Sequence, residues 1–235
     1  LTGGMGTARR PEEAGTKNKP KGGFMEKTWK KKAGLFLTSQ AVSLFGSSLV
    51  QYAIIWYITL ETQSGVMTTL ATLCGFIPQV LISLFAGVWA DKYNKKKLIM
   101  LADGTIALAT LVIAILFLAG FDFIWLLFVV LCIRSFGSGI QTPTVTSFIP
   151  EIVPEQHLMR VNGINTTVQS IMLIISPAVS GALLANVELE YIFFVDVITA
   201  VIGISVFSFV QVHYQKRDQG KVDYFGAIKE GILYT

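Results

Sequence analysis

The chain has 235 residues, of which 52% are hydrophobic and only 14% charged, and its formal net charge is +4. A soluble domain carries roughly 25% charged residues, so this balance excludes an ordinary soluble enzyme or nucleic-acid-binding domain and points to a membrane protein.

Residues 1–24, "LTGGMGTARRPEEAGTKNKPKGGF", are polar and rich in Gly, Pro and Lys. They read as a disordered segment without a signal-peptide core, ahead of what looks like a natural start at Met25. A hydrocarbon core of about 30 Å needs roughly 20 apolar residues per helix. Six such runs follow, at 34–60, 67–90, 98–120, 123–145, 160–186 and 191–212. The alternation of a membrane β-barrel is absent. The predicted fold class is therefore all-α: six transmembrane helices over residues 25–212, with 213–235 as a cytoplasmic tail.

The first helix carries Gln51, Tyr52, Trp56 and Tyr57 among aliphatics and ends at Glu61. Tyr52 and Trp56 are four apart and share a face. Facing a central cavity, these aromatics suit amphiphilic substrates and cations; the plainer reading is an interfacial aromatic belt. Gln51 is too deep to face lipid comfortably, so Gln51 and Trp56 are cavity candidates. Glu61 is a weaker one, since a helix-end acid is more simply a solvated loop residue.

After the second helix comes "GVWADKYNKKK", residues 87–97. Lys92, Lys95, Lys96 and Lys97 are explained by topology alone, because cytoplasmic loops collect Lys and Arg. Asp91 is not, nor is Gly87 one turn before it on the same face. A glycine there admits a close neighbouring helix, whose terminus the carboxylate can meet.

The third helix carries Asp103 about five residues in, and the fourth carries Arg134 about nine residues from its cytoplasmic end. These depths differ by roughly one turn, which makes an Arg134–Asp103 pair reasonable. A cation at that depth needs a partner or water. The pair either fastens the two helices or takes part in transport. The fifth helix has the small residues Ser176, Ser180, Gly181 and Ala185 with Pro177, a thin, bendable face suited to close packing. Asp196 lies about five residues into the sixth helix. A carboxylate desolvated within a bundle can exchange protons as access alternates, so Asp103 and Asp196 are the first proton-site candidates; for Asp196 a hydrogen-bonding role would also suffice.

Orientation follows from charge. Of 19 Lys and Arg, nine precede the first helix, four lie in 91–97, four in the tail, and Arg160 adds one at the foot of the fifth helix. The opposite loops hold Glu61, Asp122, Glu188 and Glu190 and no Lys or Arg. The positive-inside rule then places both termini in the cytoplasm and the protein in the cell membrane. The basic segments read as topology determinants and contacts to anionic lipid, not to nucleic acid. Cys74 and Cys132 lie in apolar helices, while His157 and His213 sit at helix margins without a ligand cluster. No metal, cofactor or ATP site is expected.

The loop from Gly87 resembles the signature Gly-x-x-x-Asp-(Arg/Lys)-x-(Gly/Asn)-(Arg/Lys)-(Arg/Lys) of the major facilitator superfamily. Gly87, Asp91, Lys92, Asn94, Lys95 and Lys96 fall on it, with Asn94 standing where Gly is commoner; both residues tolerate a left-handed turn. "SLFGSSLVQYAIIWYITLETQS", "RSFGSGIQTPTVTSFIPEIVPEQHLMRVNG" and "FFVDVITAVIG" resemble the branch of macrolide, multidrug and siderophore exporters. The resemblance implies one six-helix N-terminal half of a twelve-helix fold, an absent C-terminal half, and a tail that begins the central linker. It implies a gate role for the Asp91 loop and a proton-coupling role for Arg134. "ISPAVSGALLAN" resembles a degraded antiporter motif, with Ser176 and Ser180 replacing glycines while Pro177 and Gly181 keep their places. The implied function is proton-driven efflux of small amphiphilic drugs such as macrolides by alternating access. A proton-coupled permease or an exporter of another metabolite or siderophore stays open; a membrane-embedded enzyme would need clustered polar motifs that the sequence does not show.

Overall fold

A computed structural model describes residues 22–210, with side chains from residue 29. The six helices are α1 (Gly22–Thr62), α2 (Gly65–Lys92), α3 (Lys95–Leu118), α4 (Ile124–Ile152), α5 (Glu155–Leu184) and α6 (Leu189–Ser208). All six are long and apolar enough to cross a membrane. The chain is thus an all-α multi-pass membrane protein. Helix α1 begins at Gly22, within the segment read as polar. The rest of that segment, His213 and the tail lie outside the described residues.

The helices pack in an order that chain sequence alone does not give. Helix α2 lies against α4, α1 against α6 and α5, and α3 against α4 and α6. Their close approaches are set by glycines. A Cβ on Gly46 would fall 1.8 Å from Thr199 Oγ1, and one on Gly203 3.0 Å from Ser39 O, so α1 and α6 touch nearly backbone to backbone. Gly139 of α4 is equally tight against Gln79 O of α2, at 2.7 Å. Small residues at crossings suit a medium in which lipid tails compete equally for apolar side chains, so that packing and polar contacts decide association.

Two apolar clusters fill the ends of the bundle. One gathers Leu49, Ile54, Ile58, Ile113, Leu127 and Phe193 toward the end that carries the acidic loops. The other gathers Phe36, Phe148 and Phe207 toward the basic end, with ring centroids 5.0–5.4 Å apart. Between them lies a layer of buried polar side chains that includes Ser43, Asp103, Thr110, Arg134, Ser135 and Asp196.

Helix ends follow local chemistry. Asn94 has φ −65° and accepts from Lys97 N at 3.2 Å, so it caps α3 in an extended conformation; the left-handed turn expected there does not occur. That conformation falls instead to Gly120 at φ 84°, where α3 ends in a Schellman motif with Gly120 N bonded to Phe117 O and Phe121 N to Leu116 O. Helix α4 runs through Pro143 and Pro150 to Ile152, about seven residues past the boundary read from hydropathy. In the turns around Pro143, Thr144 donates to Ile140 O at 2.6 Å and Thr146 to Thr142 O at 3.1 Å.

Candidate functional site

The polar layer is centred on Arg134, 2% exposed. Its partner is Asp196, not Asp103. The reason is the true length of α4. Arg134 stands about 18 residues before the helix end at Ile152, and Asp103 about 8 after the start of α3, a difference in depth of roughly 15 Å. Asp196, near the acidic-loop end of α6, lies level with it. One guanidinium nitrogen meets both Asp196 Oδ2 and Thr110 Oγ1, while the other donates to Ser47 O at 2.9 Å. Asp196 also accepts from Ser47 Oγ at 2.8 Å and from Thr110 Oγ1 at 2.7 Å. Four helices, α1, α3, α4 and α6, therefore meet on one ion pair. Its third nitrogen, Arg134 Nε, has no partner among the described residues.

Asp103 forms a second station nearer the basic end. Its Oδ1 accepts from Ser43 Oγ at 3.0 Å and from the Gln141 amide at 2.5 Å, both neutral groups. Of the two buried acids, one has a counter-charge and the other has hydrogen bonds from neutral side chains.

Beside these stations opens a polar cleft between α1, α2, α4 and α5. It comprises two adjoining cavities of about 180 and 190 Å³ that share Gln79, Gln141, Thr142 and Gln169. Gln51 and Tyr52 line the first of them, and Arg134 reaches it. Gly75 makes room for Gln51, whose Nε2 would lie 2.2 Å from a Cβ there. Pro78 disturbs α2 at the same level, and the neighbouring Gln79 N donates across to Ser135 Oγ on α4 at 2.9 Å.

The other two cavity candidates lie elsewhere. Trp56 is outside the cleft lining; its indole donates to Pro177 O of α5 at 3.2 Å, so it ties α1 to α5. Glu61 is exposed and borders a separate cavity of about 530 Å³ at the acidic-loop end, with Asp122, Glu188 and Glu190. A loop acid follows the loop, and an indole follows the nearest carbonyl.

In the loop after α2, the lysines do more than mark a side of the membrane. Lys95 donates to Ser147 O at 2.9 Å and meets Glu151 at 3.0 Å, joining the start of α3 to the end of α4. Lys96 donates to Ser208 O at 2.7 Å and Val210 O at 2.9 Å, covering the carbonyl end of α6. Lys92 and Asp91 are exposed. Nothing among the described residues lies within 4 Å of a Cβ placed on Gly87, so the close helix neighbour expected there is not in this bundle. On α5, Ser176 and Ser180 are fully buried, and a Cβ placed on Gly181 would stand 3.6 Å from the Trp56 indole nitrogen, an ordinary contact in a packing seam against α1.

Comparison with known proteins decides what this bundle belongs to. The Major Facilitator Superfamily model matches residues 36–230. The chain belongs to the Major Facilitator Superfamily. Macrolide efflux protein A of Streptococcus pyogenes is 38% identical over 181 residues, 76% of this chain and 45% of that protein. Macrolide efflux protein A of Enterococcus faecalis is 36% identical over 132 residues, 56% of this chain and 41% of that protein. The Staphyloferrin A transporter of Staphylococcus aureus is 25% identical over 154 residues, 64% of this chain and 38% of that protein. The chain thus spans less than half the length of these relatives. It is similar to the macrolide efflux branch of the superfamily, a family of transporters rather than enzymes.

For a superfamily protein, the sequence reading missed most of the polar machinery. Ser43, Ser47 and Thr110 are short hydroxyls that look like helix filler until their neighbours are known. Gln79, Gln141 and Gln169 carried a usable signal: an uncharged amide at membrane depth is costly unless it finds a partner or a polar cavity.

Proposed function

We propose that this chain is the N-terminal half of a proton-driven exporter in the cell membrane, acting on amphiphilic drugs such as macrolides, with both ends of the chain cytoplasmic. The observation that carries this reading is the double role of Gln141, which lines the cleft and also donates to Asp103. A substrate that takes this amide leaves Asp103 with one bond fewer, and a proton on Asp103 weakens its claim on the amide. Proton and substrate are then linked through one side chain, each favouring the other, and the export direction rests on the similarity to Macrolide efflux protein A. Arg134 and Asp196 hold the four helices around this point, which makes them positioning residues. The Asp91 loop is the gate: its exposed carboxylate suits the N-terminus of a helix in a second six-helix half, where the dipole favours negative charge. The two halves would rock about the cleft near the bilayer midplane.

The similarity to a staphyloferrin transporter favours one alternative, export of a siderophore by the same cycle. Inside-out vesicles carrying the complete transporter separate the possibilities. Uptake of labelled macrolide that rises with an inward-acid pH gradient and stops with a protonophore is expected. Uptake indifferent to the gradient would exclude proton drive, and uptake of a siderophore alone would favour the alternative.

A further inference from the structure

The described membrane-depth glutamines are Gln40, Gln51, Gln79, Gln141 and Gln169, drawn from α1, α2, α4 and α5, and all five line the two joined cavities together with Asn165. Among the described residues no Asp or Glu lines either cavity. The charged group that does reach the cleft is a cation, Arg134, 2% exposed and with Nε–H unpartnered. With the charge of Arg134 met by Asp196 behind the lining, a wall of this kind offers no counter-charge to a positive ligand. Amides both donate and accept, so they match hydroxyls, esters and ethers in either sense, and the spare guanidinium donor needs an acceptor oxygen.

We infer that this half recognises the oxygen-rich, uncharged face of its substrate, a polyhydroxylated lactone or similarly oxygenated surface, and makes no use of a cationic amine. The inference rests on the export reading for the identity of the site as a substrate cleft, and it adds the chemical class that the cleft selects. Tyr52 and Phe76 in the same lining supply apolar contact for the carbon skeleton between the oxygens.

Direct binding to the purified complete transporter, at one pH and without any gradient, tests it with two probes. One is a macrocyclic lactone bearing hydroxyls but no amine; the other is tetraphenylphosphonium, a cation with no hydrogen-bonding atom. The lactone is expected to bind, and Gln79→Leu and Gln169→Leu each to weaken it roughly tenfold while tetraphenylphosphonium binding does not change. Should a leucine variant fail to fold, the methionine variant, of similar length without the amide, gives the same comparison. Wild-type protein that binds tetraphenylphosphonium but not the amine-free lactone overturns the inference, as do folded variants that bind the lactone undiminished or lose both probes equally. Because no gradient is applied, failure of proton coupling would leave this result standing, and failure here would leave proton coupling untouched.

Discussion

A guanidinium in the middle of a bilayer persists only when something nearby carries the opposite charge or brings in water. Arg134 has Asp196, and both are wrapped in hydroxyls and a main-chain carbonyl. Removing one member of such a pair strands the other, which in buried pairs costs about 3–5 kcal/mol. Asp196→Ala is therefore expected to lower the unfolding temperature of the detergent-solubilised protein sharply, whereas Thr110→Val, which removes a neutral partner, costs about 1–3 kcal/mol. An Asp196→Ala protein as stable as the wild type would show that the pair does not hold the helices. At this scale the need for a partner was legible in Arg134 alone. Its identity was not, because it depends on where α4 ends, and the apolar run fades near residue 145 while the helix continues to Ile152.

Helices here are fitted to one another by the absence of side chains. The α1–α6 crossing depends on Gly46 and Gly203, each with backbone or side-chain atoms of the other helix at or within 3.1 Å of where a Cβ would stand. Gly46→Val forces α1 away from Thr199 and Asp196, at a cost of about 1–3 kcal/mol, and should loosen the Ser47–Asp196 bond with it. By contrast Gly34, with nothing within 4 Å, should accept Ala without loss. Equal thermal unfolding of Gly46→Val and wild type would contradict this account of the crossing. All six helices were legible from hydropathy, because span length is fixed by bilayer thickness. Their pairing was not, since a glycine reads the same in a sequence whether a helix lies against it or open space does, as Gly46 and Gly87 show.

Taken whole, the bundle has a basic end, an acidic end and a polar layer between two apolar clusters. In the proposed cycle, the exposed Asp91 and the open surface at Gly87 would make the loop after α2 the contact for a second half. In the complete transporter, Asp91→Asn is expected to shift introduced cysteines on the external side toward protection and those on the cytoplasmic side toward labelling, with drug affinity little changed. Unaltered labelling on both sides would remove the gate role. The fold and family were legible because charge asymmetry and the loop motif are local signals. The cleft as a whole was not, because its glutamines come from four separate helices.

The central claim is that Asp103 couples proton movement to substrate through Gln141. Its most direct test is proton movement in proteoliposomes of the complete transporter, with a pH-sensitive dye inside and a macrolide added under an imposed pH gradient. The account predicts macrolide-dependent dissipation of the gradient by the wild type, and none by Asp103→Asn despite intact folding and macrolide binding. Dissipation of equal rate by Asp103→Asn would contradict it.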